Sequence, residues 1–204
     1  MDTLIVDPRV SERLIEERRA RGADRFDEVW EGVYVMAPAP NDEHQDLAGG
    51  FTEVLRTVID RRGLGTTRPG INLASDPVDW EHDYRVPDIA VFLNDTAAVC
   101  HGAFWSGPPD FLIEIVSPFD KTRDKLDFYS RIETRELLVV DRDPWQLQLY
   151  RRQGGALEVV SAVQPGDSAA IRSEVLPIEF RLVAGDPRPT IEITAIELDR
   201  SWTV

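Results

Sequence analysis

Cysteine is almost absent from this chain. Cys100 stands alone, so an intrachain disulfide framework and a thiolate metal cluster are both excluded. Histidine is scarce as well. His44, His82 and His101 are too scattered for a zinc-finger pattern. No apolar run reaches the ~20 residues that a bilayer-spanning helix requires, and Met1-Asp2-Thr3-Leu4-Ile5-Val6-Asp7 lacks the basic start and long apolar core of a signal peptide. A cytoplasmic protein with no membrane partner is the expectation. Basic charge is in deficit, with 23 Lys and Arg against 37 Asp and Glu and a formal net charge of −14. Such a balance repels a polyanion at long range and so disfavours DNA as a partner. Screening confines that repulsion to about 8 Å at physiological salt, and a local basic face can dominate at contact. Glycine signatures are missing too. Gly63-Leu64-Gly65 lacks the third glycine and the trailing Lys-Ser/Thr of nucleotide-binding loops. Ser117, before Pro118, lacks the flanking glycines of a nucleophile elbow.

What the chain does contain is an ordinary globular composition. Its 204 residues are 42% hydrophobic and 29% charged, enough for a real core in one domain. Val10 to Arg21 has helical spacing, and Arg13, Arg18, Arg19, Arg21 and Arg25 make this end locally basic. We therefore divide the chain into an N-terminal helical extension, 1–25, and a main domain, 26–204. Val29 to Met36 reads as a strand or tight hairpin around Gly32. Asn41 is a good helix cap ahead of Asp42 and Glu43. The apolar positions Leu47, Phe51, Val54, Leu55 and Val58 then mark one buried helix face, with Gly63 as the stop. Thr66 to Ala74 reads as a strand interrupted by Pro69-Gly70, Asn94 to Pro109 as a long loop, and Asp120 to Ile132 as a helix. Strands follow at Glu136–Asp141, Trp145–Arg151, Leu157–Val163, Ile178–Val183 and Thr190–Ile196. The pattern is α+β: a mixed β-sheet flanked by two principal helices.

The chain centres on Tyr84 to Tyr129, where two apolar β-type runs each carry one carboxylate, Asp88 and Glu114. A carboxylate inside such a run is costly unless its charge is compensated. A metal ion, a cation such as Lys125, or solvent at the strand end would each suffice. If the two strands are neighbours and present both acids on one face, the pair raises its own pKa values or recruits a cation. Magnesium suits this arrangement, because it takes one or two carboxylates and fills its shell with water and phosphate oxygens; manganese is the alternative ion. The backbone carbonyl of Ile115 is a candidate third ligand. Lys125, with Lys121 one turn earlier in reserve, is the candidate to orient the attacking water or steady charge on the phosphate. His44 lies in the first turn of its helix on the side of the buried stripe, either as a structural histidine or beside the site. A purely structural account is also open, with Asp88 paired to Arg85 or Lys125 and Glu114 taking a backbone hydrogen bond.

These residues carry a resemblance. Pro87-Asp88, Glu114 within Ile-Glu-Ile-Val-Ser-Pro, Lys125 and Tyr129 four apart, and Leu138-Val139-Val140-Asp141 are similar to the Uma-type bacterial family of restriction-endonuclease-like proteins, within the PD-(D/E)XK nuclease superfamily. The early hairpin ending in Met-Ala-Pro-Ala-Pro and His44 belong to the same likeness, which runs from about Phe26 to Tyr150. It implies a restriction-endonuclease-like central sheet flanked by helices, a magnesium site between Asp88 and Glu114, and catalysis by Asp88, Glu114 and Lys125 lined by His44, Lys121 and Tyr129. One departure matters. The superfamily lysine two residues after the glutamate is Val116 here, so Lys125 has to reach in from the helix. The expected function is metal-dependent hydrolysis of DNA phosphodiesters. The alternative is a catalytically silent module that keeps the fold for binding or self-association. The alternating strands after Trp145 leave an edge that a homodimer would cover.

Overall fold

The computed structural model describes residues 8–117 and 121–204. Helix α1 (Pro8–Ala20) leads into a hairpin of β1 (Glu28–Trp30) and β2 (Val33–Val35). Its turn residues Glu31 and Gly32 both have positive φ, 50° and 85°, the backbone twist that two-residue hairpins favour. A Cβ on Gly32 would lie 2.7 Å from His82, so this position admits only glycine without displacement. Helix α2 (Asp42–Leu55) starts where the Asn41 side chain accepts the His44 amide at 3.0 Å and continues through a wider turn at Arg56–Asp60. Then come β3 (Gly65–Pro69), β4 (Leu73–Ala74), β5 (Tyr84–Arg85), β6 (Ile89–Leu93), β7 (Val99–Cys100), β8 (Trp105–Ser106) and β9 (Phe111–Ile115). A 3-10 turn at Thr122–Lys125 runs into α3 (Leu126–Arg131). The chain closes with β10 (Glu136–Arg142), β11 (Trp145–Gln153), β12 (Ala156–Val163), β13 (Ile171–Arg172), β14 (Ile178–Val183), β15 (Thr190–Ala195) and β16 (Arg200–Thr203).

The architecture is α+β, as expected, but among the described residues the strands make three sheets. The central one has the order β12-β11-β10-β9-β6-β3. Its β9–β10 pair is parallel and its other pairs are antiparallel. Alternation along each strand sends successive side chains to opposite faces. Ile89, Val91, Phe111, Ile113 and Ile115 face α2 and the β13–β16 sheet, meeting Leu47, Phe51, Phe180 and Ile193 in one core. Ala90, Phe92, Leu112, Leu137 and Val139 face α3, meeting Phe128, Tyr129 and Ile132 in a second.

The third sheet, β2-β1-β5-β4-β8-β7, departs from what the sequence suggests. Thr66–Ala74 is not one strand, because Gly70 at φ +54° turns the chain from β3 in the central sheet to β4 in the outer one. Arg85–Phe92 splits likewise at Val86-Pro87-Asp88, where Pro87 has no amide to give a ladder. The loop 94–109 contains β7 and β8, and Trp105 stacks on Phe92 with ring centroids 3.8 Å apart. The helix expected from Asp120 begins with the 3-10 turn. Asp120 and the Pro118 of the Ser-Pro turn lie outside the described residues.

Candidate metal and phosphodiester site

The register of β6 against β9 sets the site. Ile89 pairs with Ile113, Ala90 with Leu112 and Val91 with Phe111, antiparallel. Extended one step past its last pair, that register sets Asp88, just outside β6, opposite Glu114. Residues directly opposite share a face with Cβ atoms about 5 Å apart, and by alternation that face is the one carrying Ala90 and Leu112, under α3. Val86-Pro87 interrupts the ladder just before this point and leaves Asp88 partly open to solvent.

Each acid is held differently. Asp88 accepts the Ile115 amide through Oδ2 at 2.7 Å, and its Oδ1 lies 3.2 Å from Nε2 of His44. Capping by Asn41 fixes the first turn of α2 and so brings His44 over the strand end. Its Nδ1 is buried without a hydrogen-bond partner. Glu114 is 3% exposed. Lys125 Nζ donates to it at 3.1 and 3.4 Å, and the Tyr129 hydroxyl donates to Oε1. Lys125 and Tyr129 are one helical turn apart, which is why both reach the same carboxylate.

The opposite wall is Glu28, which the sequence reading does not single out. Its Oε1 lies 2.9 Å from Lys125 Nζ and also accepts the Val86 amide at 2.8 Å, while Oε2 accepts the Trp30 indole N–H at 2.6 Å. The Lys125 ammonium is thereby clamped between Glu28 and Glu114. Arg85, an alternative partner for Asp88 on sequence grounds, bonds Asp83 at 2.9 Å instead and lies between the Trp30 and Phe128 rings. Lys121 lies over the outer side of this wall, its Nζ 5.9 Å from the Trp30 ring centroid. Arg142 ties the base together by donating to Val116 O at 2.9 Å, Ser117 Oγ at 3.1 Å, Asn41 Oδ1 at 3.1 Å and Glu43 at 2.9 Å. That links the end of β9 to the cap of α2.

Burial pushes the Glu114 carboxyl up to about 8. Lys125 opposes that shift, while Asp88 and Glu28 add to it. Burial alone would lower Lys125, but Glu114 and Glu28 outweigh it and hold the ammonium above its ordinary value. Tyr129 is raised well above its ordinary value by burial and by Glu114. The resulting site contains a permanent cation, a neutral phenol and a carboxyl whose ionisation burial disfavours and Lys125 favours.

A family model described as "putative restriction endonuclease", Uma2, matches residues 15–185. The chain belongs to the Uma2 family. Comparison with curated protein sequences gives no match. Among solved structures, the fold resembles the crystal structure of a putative nuclease from Anabaena variabilis, with a TM-score of 0.57 and 20% identity over 72% of this chain and 80% of that one. At that identity the likeness establishes the restriction-endonuclease-like fold.

The side chains of this Uma2 chain suit a hard divalent ion. Glu28, Asp88 and Glu114 set three acidic side chains against the single ammonium of Lys125, and burial, with Asp88 and Glu28 adding to it, raises the Glu114 carboxyl. All candidate donors are oxygens: the Asp88 and Glu114 carboxylates and the Ile115 carbonyl. Among the described residues no group of three or more His, Cys, Asp or Glu side chains could hold a metal ion. An ion here would therefore depend on backbone, water and substrate oxygens, as magnesium commonly does.

Proposed function

We propose that this Uma2-family protein is a magnesium-dependent phosphodiesterase that cleaves DNA, with manganese as a substitute ion. The observation that carries this reading is the Lys125–Glu114 contact at 3.1 Å beside Asp88, which accepts the amide of Ile115, the residue after Glu114, at one end of the central sheet. Asp88 and Glu114, with the Ile115 carbonyl, would hold the ion. When bound, that ion would supply positive charge to the phosphoryl oxygens and ease deprotonation of a water.

The chain's own groups have distinct tasks. Lys125, kept cationic by two carboxylates, steadies negative charge on the phosphoryl group and orients the water; its raised pKa makes it a poor base. Tyr129 fixes one oxygen of Glu114. His44 and the Ile115 amide fix the rotamer of Asp88. Glu28 positions Lys125 from the side away from Glu114. Purified protein is expected to cut DNA in magnesium and to stop in chelator. DNA left intact in both conditions would overturn the reading. The alternative is a silent binding module, favoured by one observation: the Glu28–Lys125–Glu114 triad is already satisfied as a structural ion network.

Magnesium affinity should depend on pH with a definite sign. Near pH 7 a carboxyl raised to about 8 is mostly protonated, and ligation requires the carboxylate. Binding should therefore release about one proton at roughly pH 7 and almost none above about pH 9. The apparent affinity should rise by about tenfold per pH unit below about pH 8. Calorimetry in buffers of different ionisation enthalpy counts that proton. A flat affinity from about pH 6 to 8 would remove Glu114 from the ligand set.

A further inference from the structure

We propose that the cavity beside β3, at the edge of the central sheet, binds a phosphate of the nucleic-acid strand next to the bond that is cleaved. This rests on the phosphodiesterase reading and extends it to a substrate-positioning subsite formed by Arg25 and Arg68.

The cavity has a volume of about 350 Å³ and is lined by Arg25, Arg68, Gly70, Asn72, Phe104 and Trp105, among others. In a chain of net charge −14, no aspartate or glutamate is among the described residues that line it. Arg25 is exposed, its guanidinium 5.2 Å from the Phe26 ring centroid. Arg68 donates to the Thr67 carbonyl at 3.0 Å and comes only within 4.0 Å of Asp60. That carboxylate already accepts the Thr67 amide at 2.9 Å. With 43% of its side chain exposed, Arg68 can turn its fork to an anion.

Register connects this cavity to the carboxylates. Arg68 pairs with Ala90 across β3 and β6, so it shares the sheet face that carries Asp88 and Glu114. Gly70 follows β3 where the chain turns out of the central sheet, and its amide donates to the Asp88 carbonyl at 3.0 Å. A Cβ at Gly70, where φ is +54°, would lie 3.0 Å from Phe26. Glycine therefore lets the Phe26 ring close over this stretch between Arg68 and Asp88. Diagonal neighbours across two paired strands are about 7–8 Å apart, comparable to the spacing of successive phosphates along a nucleic-acid strand. Trp105 on Phe92 and Phe104 on Trp80 are already stacked, so the cavity walls need no reordering. A guanidinium recognises phosphate by parallel N–H donors.

The test is fluorescence anisotropy of a labelled single-stranded DNA oligonucleotide with the full chain, calcium replacing magnesium to hold back cleavage. The Arg25→Ala/Arg68→Ala variant should bind at least about tenfold more weakly. Its log–log salt slope should be shallower by about 1.4, two contacts at about 0.7 each. Arg172→Ala, on the remote β13, should bind as the unsubstituted chain does. Unchanged binding by the double variant, or oligonucleotide affinity no better than that of inorganic phosphate as competitor, overturns the subsite. Hydrolysis of bis(p-nitrophenyl) phosphate by the unsubstituted chain separates the two claims, because so small a diester tests the Asp88–Glu114 centre alone. Hydrolysis of that diester without oligonucleotide binding would sink the subsite and spare the catalytic reading. Oligonucleotide binding that needs both arginines, without diester hydrolysis, would keep the cavity as a phosphate-binding site and end the claim that a neighbouring bond is cleaved.

Discussion

Glu114→Ala is expected to lower magnesium-dependent DNA cleavage by about a thousandfold or more, to the limit of detection. Loss of one key charge-stabilising group costs a factor of about 10²–10³, and Glu114 has two roles: it would ligate the ion, and it holds one side of the Lys125 ammonium. The variant should still fold. Lys125 keeps Glu28 as a counterion at 2.9 Å, and the main cost is the Tyr129 hydroxyl left without its acceptor, about 1–3 kcal/mol. Chemical denaturation followed by circular dichroism would establish that the loss is catalytic. Equal cleavage by the variant and the unsubstituted protein would contradict the assignment.

Lys125→Met should affect both activity and stability, and the stability effect is the larger diagnostic. Methionine keeps most of the volume but removes the cation between Glu28 and Glu114, two acids that are 5% and 3% exposed. Breaking a buried ion pair by deleting one partner costs about 3–5 kcal/mol. The expected loss lies near the lower end, because Glu114 already tends to take up a proton. The sign of the pH dependence follows. A carboxyl whose folded-state pKa lies above its unfolded value contributes its stabilisation below the unfolded value of 4.5. That contribution disappears as pH rises through the folded value, here about 8. The parent itself should weaken from about pH 5 to about pH 8, and the variant, whose Glu114 has lost the cation that opposes its rise, should fall further behind the parent from about pH 8 to about pH 9. Cleavage should fall by about 10²-fold or more. A variant as stable as the parent at both ends of that range would contradict the clamp.

The core of this site was legible because strand patterning is local. An acid interrupting each of two apolar runs marks Asp88 and Glu114, and four-residue spacing on a helix places Lys125 and Tyr129 together. The role of Val116 follows from the same geometry. It packs against the α3-side core, and the ammonium beside Glu114 comes from the turn before α3. Glu28 was not legible. It sits in a three-residue strand, too short for alternation to show, and it meets Lys125 only through the pairing of β1 with β5. The outer sheet was hidden for a related reason. Its two- and three-residue strands gain stability from non-local partners, and no local propensity announces them. Arg68 is likewise unremarkable in sequence and gains meaning only from its register opposite Ala90. His44 was legible as a residue on the buried side of α2, but its contact with Asp88 depends on how that helix crosses the strand end.

The most direct test is a magnesium titration of the purified protein at neutral pH, followed by calorimetry, beside Asp88→Asn and Glu114→Gln. Convergence of the two acids on one ion predicts a single saturable site in the parent and loss of that site in each variant alone. No saturable binding in the parent, or binding that survives both substitutions, would contradict it.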